Sequence, residues 1–223
     1  MTNKNKKIIL KEEMIKDLGE LKEQFIKRLK NGEIEIKKEF FKKIPLGILK
    51  EGKVEKLEKL ELNTKKILII LESPHRFEYK MNGEEIEAIG PAQGVTGKNI
   101  CGKKKEIIEE VKTLSNGKES SENYEIILIN PVPYQTSLFH LFKNTKKLNK
   151  NIKKLIWNFM WDSNFNKCKN EFVENIKKIN PVCVFNCCTK EFKNEINKEL
   201  KNSELKNIRE LPHPSSKWFN KAI

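Results

Sequence analysis

Four short apolar runs in this chain each end on residues that can hold a ligand or move a proton. Ile67–Leu71 leads into Glu72-Ser73-Pro74-His75, and Ile126–Ile129 into Asn130-Pro131-Val132-Pro133-Tyr134. Val182–Phe185 leads into Asn186-Cys187-Cys188-Thr189, and Ile208–Leu211 into Pro212-His213-Pro214-Ser215-Ser216. Glu72 can orient a water molecule, or simply pair with a lysine. Asn130 carries both donors and an acceptor, which suits the hydrogen-bonding edge of a nucleobase and equally the capping of a turn. His213 stands between two prolines that restrict the backbone and remove two amide donors, so its imidazole has a set direction. That ring can serve chemistry or be satisfied by a local carbonyl.

These groups converge only if the apolar runs are parallel strands. Ile67–Leu71 is a continuous rather than alternating run, the pattern of a strand buried on both faces. Helical periodicity fills the intervals: Lys103–Leu114, Leu155–Met160, Phe172–Ile179 and Glu191–Leu200. Strands alternating with helices predict an α/β fold, a three-layer αβα sandwich around a mostly parallel four-stranded sheet with right-handed crossovers. Polar groups at the C-terminal ends of such strands define its ligand crevice. Residues 8–62 read as helical, through Ile8–Leu10, Met14, Leu18, Leu21, Phe25 and Leu29 up to Asn31-Gly32. A second stretch over Glu33–Lys43 and a weaker one over Val54–Leu62 follow. The expected division is a helical N-terminal extension over 1–65 and an α/β domain over 66–223.

The 223 residues carry 45 basic against 31 acidic side chains, a net charge of +14. Such a surplus favours a polyanion, because neutralised phosphates release counterions. Nearly all of it is lysine, a point charge suited to backbone attraction rather than base readout; it also fits the codon bias of an AT-rich genome. No apolar stretch approaches the roughly 20 residues of a membrane span, and the basic N-terminus lacks the apolar core of a secretory signal. The expectation is a cytoplasmic protein without a membrane partner. The five cysteines, Cys101, Cys168, Cys183, Cys187 and Cys188, form no Cys-x-x-Cys pair. They read as reduced thiols rather than a metal site or disulfides. The stretch from Ala92 to Gly97-Lys98-Asn99 imitates a phosphate-binding loop, but lacks its first glycine, its hydroxyl and its preceding strand.

Taken together, Leu71-Glu72-Ser73-Pro74-His75, Gly90-Pro91-Ala92-Gln93-Gly94, Ile127-Leu128-Ile129-Asn130 and His213-Pro214-Ser215 resemble, in order and spacing, the motifs of the uracil-DNA glycosylase superfamily. The resemblance runs from about Ile67 to Phe219. Leu71 stands where the first motif usually has Gly. Ser73 occupies the position where some members carry a water-activating Asp, and Glu72 the position where others carry an acidic residue. The cluster cysteines of iron–sulfur members have no counterpart, since no cysteine precedes Cys101.

The resemblance implies a DNA glycosylase that flips a uracil or modified base out of single- or double-stranded DNA and hydrolyses its N-glycosidic bond. It would act in base-excision repair or in restriction of foreign DNA, without cofactor or metal, as a monomer. His213 would donate to the base oxygen on which negative charge grows, and Glu72, with Ser73, would position water. Asn130 would grip the base edge, the backbone of Gln93, Gly94 and Val95 would contact the base, and Phe77 or Tyr79 would stack on it or join the core. Tyr134 and Gln135 would shape the pocket. Pro74, His75, Pro212, Pro214, Ser215, Ser216 and Lys217 would hold flanking phosphates. Trp218-Phe219 would pack beneath the histidine loop or wedge into the duplex. The competing reading is a nucleic-acid-binding module on the same fold without catalysis.

Overall fold

The computed structural model describes residues 43–61, 63–82, 85–115, 123–134, 136, 154, 157–158, 161 and 168–223. The helical readings over 8–42, Gln135 and His140 lie outside them. The chain order is β1 (Gly47–Lys50), β2 (Lys53–Lys56), β3 (Lys65–Ile70), a 3₁₀ turn (Arg76–Glu78), β4 (Tyr79–Asn82), β5 (Glu85–Ala88), α1 (Val95–Gly102), α2 (Lys104–Leu114) and β6 (Tyr124–Ile129). There follow α3 (Cys168–Ile179), β7 (Cys183–Asn186), α4 (Lys190–Asn202), β8 (Ile208–Glu210) and α5 (Phe219–Ala222).

All four apolar runs are strands, and β6-β3-β7-β8 are neighbours paired in parallel. Alternate residues of each strand feed two cores. Leu68, Ile70, Ile127, Ile129 and Val184 pack with Phe172 and Ile176 of α3 and with Phe192 and Ile196 of α4. Ile67, Ile69, Ile126, Leu128 and Phe185 pack with Ile100 of α1, Ile107 of α2 and Phe219 of α5. Burial on both faces is why the runs of β3, β6 and β7 lack polar alternation; β8, at the sheet edge, is part-exposed and carries Arg209 and Glu210. Trp157 and Trp161, at helical positions, are buried in the first core with ring centroids 5.2 Å apart.

The sheet has six strands rather than four, in the order β2-β1-β6-β3-β7-β8. The added pair is an antiparallel hairpin: β1 pairs Ile48 with Ile127 of β6, and β2 pairs with β1. The helical reading of Val54–Leu62 is therefore corrected: Val54–Lys56 belongs to a strand, and Leu57–Glu61 forms no helix. The physical reason is the turn. Glu51 and Gly52 both have positive φ, 46° and 79°, the two-residue hairpin geometry that matches the twist of flanking strands. Val54 then points inward while Lys53 and Lys56 stay exposed. A second hairpin, β4–β5, stands apart as a two-stranded sheet in the loop after β3.

The loop ahead of α1 is fixed by close backbone approach. Ala92 lies in the left-handed region at φ 59°, and a Cβ on Gly97 would stand 2.1 Å from the Ala92 carbonyl oxygen. That neighbour is backbone and cannot rotate aside. Gly97→Ala is expected to cost about 1–3 kcal/mol, the range for forced overpacking. The check is the urea midpoint, and an unchanged value would show that the loop yields freely.

Candidate active site at the strand mouths

Strand order decides where a ligand can sit. From β3 the chain crosses to β6 on one side, and from β7 to β8 on the other, so the switch point falls between β3 and β7. Ligands of open α/β sheets bind outside the carboxyl ends of the strands at such a point. Across it, in spatial order, stand Asn130 after β6, Glu72 after β3, Thr189 after β7 and His213 after β8.

Glu72 and Thr189 bridge the switch point directly, the threonine hydroxyl donating to the Glu72 carboxylate. Glu72 is buried, and its carbonyl accepts the Trp157 indole N–H at 3.2 Å. Its neighbour Ser73 shares a 2.8 Å hydroxyl contact with the buried Thr136. The Cys188 thiol, just beyond β7, lies 2.6 Å from the Leu71 carbonyl oxygen. The thiols of Cys168, Cys183 and Cys187 are pushed up to about 12 by burial, which leaves them unreactive at neutral pH.

Asn130 sits in the most consequential environment. It is 6% exposed; its amide nitrogen donates to Glu78 Oε2 at 3.4 Å, while Oδ1 has no hydrogen-bond partner among the described residues. A buried amide oxygen left unpaired costs about 1–3 kcal/mol. A ligand bearing an N–H would complete it.

Glu78 is the site residue that sequence reading missed. Buried at 6% exposure, it accepts the Ala92 amide at 3.0 Å on Oε1 and the Asn130 amide on Oε2. Desolvation pushes its pKa up to about 8, against the opposing pull of hydrogen bonds from the Ala92 and His75 amides and from Asn130. Glu78 thus ties three segments together: the loop after β3, the loop before α1, and the mouth of β6. The sequence signal was thin, one acidic residue six positions beyond Glu72 in a loop of mixed polarity.

His213 is held within its own turn. The Ser215 amide donates to Nδ1 at 3.3 Å, the Ser215 hydroxyl lies 2.9 Å from the same nitrogen, and the Ser216 amide donates to the His213 carbonyl at 2.8 Å. An amide pointing at Nδ1 casts that nitrogen as an acceptor, which in a neutral ring leaves Nε2 as the donor. The loop is also gripped from outside. Asn99 of α1 donates to the Pro214 carbonyl at 2.6 Å, and Lys193 of α4 to the Leu211 carbonyl at 2.7 Å.

The remaining expected site residues fall into distinct groups. The Gln93 side chain donates to the carbonyls of Val54 and Pro91 at 3.0 and 3.2 Å; it holds the loop against β2, and Gly94 beside it is exposed. Gly94 has φ 153° and precedes α1, with Phe77 3.9 Å from where its Cβ would be. Phe77 is 57% exposed and tilted on His75, centroids 5.0 Å apart, while Pro74 is buried. Tyr134 packs against the core of α3 and α4, opposite the face that holds Ala92. Trp218-Phe219 divides its roles: Phe219 is fully buried and Trp218 is 55% exposed, with Lys217 and Lys221 ammonium groups 5.1 and 5.0 Å from its ring centroid. Ser215 and Lys217 are exposed, and the Ser216 hydroxyl accepts the Trp218 amide at 3.1 Å.

A cavity of about 160 Å³ lies between Lys43–Leu46 and α3 and is lined by Asn130, Pro131 and Pro133, with Cys168 and Glu171 of α3 on its far side. Among the described residues no helix is long and apolar enough to cross a membrane. No protein-family model matches the chain, and no curated protein or solved structure matches it. What the chain does is read from the chemistry of its four strand mouths.

Proposed function

We propose that this chain is a DNA glycosylase of the uracil-DNA glycosylase type, flipping a uracil or modified base out of DNA and hydrolysing its N-glycosidic bond. The observation that carries this reading is Asn130: a carboxamide buried at the mouth of a central strand, with one end anchored on Glu78 and its oxygen left for a ligand donor. A base edge, with its N–H and carbonyl groups, is the complement of such a carboxamide.

Breaking the bond leaves an oxocarbenium-like sugar and an anionic base. A neutral His213 with its proton on Nε2 donates a hydrogen bond to the base oxygen as charge develops there, which stabilises the transition state more than the bound substrate. Glu78, held mostly protonated near pH 7, adds no opposing negative charge beside that base. Glu72 positions the attacking water and balances the sugar cation, with Thr189 fixing the carboxylate.

The surface at these mouths suits the polymer. The exposed large apolar side chains among the described residues are Phe77, Val95 and Trp218, and each belongs to a segment framing the crevice. Trp218 carries the Lys217 and Lys221 ammonium groups over its ring; phosphates would draw these aside and open a face on which a base stacks. The +14 net charge supplies longer-range pull on DNA. Repair and restriction of foreign DNA are both roles open to this chemistry, and the identity of the released base separates them. The test is base release from oligonucleotides carrying defined bases. Trp218→Ala is expected to weaken oligonucleotide affinity by about 5- to 150-fold, the equivalent of the roughly 1–3 kcal/mol of one stacked base. Fluorescence anisotropy would read this, and unchanged affinity would remove Trp218 from the DNA surface.

A further inference from the structure

We propose that Lys193 and Asn99 are positioning residues that clamp the His213 loop from opposite faces of the sheet, so that base release depends on them through His213. The inference rests on the glycosylase reading above for its activity readout, and on the loop's own geometry for the rest.

Pro212 and Pro214 leave the loop short of backbone donors, so its internal fastening comes down to the Ser215 and Ser216 amides on His213. The Leu211 and Pro214 carbonyls on either side are held by donors from outside. The Leu211 peptide is caught on both sides: its amide donates to the Asn186 carbonyl at 3.0 Å, and its carbonyl accepts the Lys193 ammonium at 2.7 Å. The Pro214 carbonyl accepts the Asn99 amide at 2.6 Å. The two clamps thus bracket His213, one two residues before it and one a single residue after.

Their origins make the clamp rigid. Lys193 follows Phe192 on α4, which packs in one core; Asn99 precedes Ile100 on α1, which packs in the other. Holding a lysine in one geometry costs side-chain entropy, and an exposed surface pair rarely repays it. Lys193 is only 17% exposed, and its acidic neighbour Glu210, at 3.9 Å, is beyond hydrogen-bond reach, so the short contact is the one to the loop carbonyl. Behind it the buried Asn186 donates to Asn197, which donates to Glu210, tying β7, α4 and β8 into one support.

The experiment compares Lys193→Met and Asn99→Ala, singly and together, in the full chain with His213 present and in a His213→Ala background. With His213 present, the paired substitution is expected to slow single-turnover base release by about 10²-fold, the cost of an ångström-scale misplacement. Oligonucleotide Kd should stay within about twofold. In the His213→Ala background the same substitutions should cost nothing further, because their effect passes through the missing ring. Equal losses in both backgrounds, or affinity falling in step with rate, would overturn the clamp. A second readout needs no activity: ring ¹⁵N NMR of His213 should show the Nε2–H tautomer in the natural chain and a mixture in the doubly substituted one. An unchanged ring spectrum would also overturn it. If the natural chain releases no base from any oligonucleotide, the glycosylase reading fails, and the ring spectrum still decides the clamp.

Discussion

His213→Ala is expected to slow base release by about 10²–10³-fold, the usual cost of removing one preorganised donor from a developing oxyanion, while DNA affinity and its salt dependence change by less than about twofold. The expectation follows from how the ring is held. In the proposed mechanism the ring donates to the base through Nε2, since Nδ1 faces the Ser215 amide, and phosphate attraction comes from lysines elsewhere on the surface. Removing the ring takes away transition-state stabilisation and little ground-state binding, so the rate falls at unchanged Kd. Single-turnover rates and anisotropy at several salt concentrations measure the two separately. Parallel loss of both would make His213 a binding residue instead.

Stability should fall as pH rises from about 5 to 8, and Glu78→Gln should remove most of that fall. Burial lifts the Glu78 pKa from the ordinary 4.5 to about 8. Below 4.5 the folded and unfolded chains both carry the proton, and above 8 neither does. Between those values the folded chain retains a proton that the unfolded chain has released, so unfolding becomes easier with each increment of pH. At about 1.36 kcal/mol per pH unit, the full span is worth on the order of 5 kcal/mol, a large share of the 5–15 kcal/mol that keeps a typical domain folded. Glutamine is isosteric, keeps an acceptor for the Ala92 amide and does not ionise. Urea midpoints from pH 5 to 9 would show a declining curve for the natural chain and a flatter one for the variant. Parallel curves would mean that Glu78 is not the group responsible.

The parallel core was legible because β3, β6 and β7 are apolar on both faces and the intervening helices keep their period. β3, β6, β7 and β8, and α2, α3 and α4, all fall within a few residues of their expected positions. The β1–β2 hairpin was not legible in the same way. Its strands are four residues long, and Leu46, Leu49 and Leu57 mimic helical spacing; the deciding clue was the two-residue Glu51-Gly52 turn. The start of α1 at Val95 was obscured by glycines within it, of which Gly97 serves a close approach that only the fold reveals.

At the site, sequence order was enough to place Glu72, Asn130 and His213 at the carboxyl ends of β3, β6 and β8 of one parallel sheet. It could not show that Glu72 turns to Thr189, that the Gln93 side chain is engaged on the β2 backbone, or that Tyr134 packs against α3 and α4. Glu78 was invisible for a physical reason: its role depends on desolvation by segments distant in the chain, and no spacing rule encodes that.

The most direct test of the account is base release from oligonucleotides carrying uracil, hypoxanthine or modified cytosines, scored by alkaline cleavage of the abasic site. The account predicts strand cleavage with one of these bases and its loss in His213→Ala. Oligonucleotide binding at ordinary affinity with no base released from any of them would contradict it, and would leave a nucleic-acid-binding module built on the same sheet.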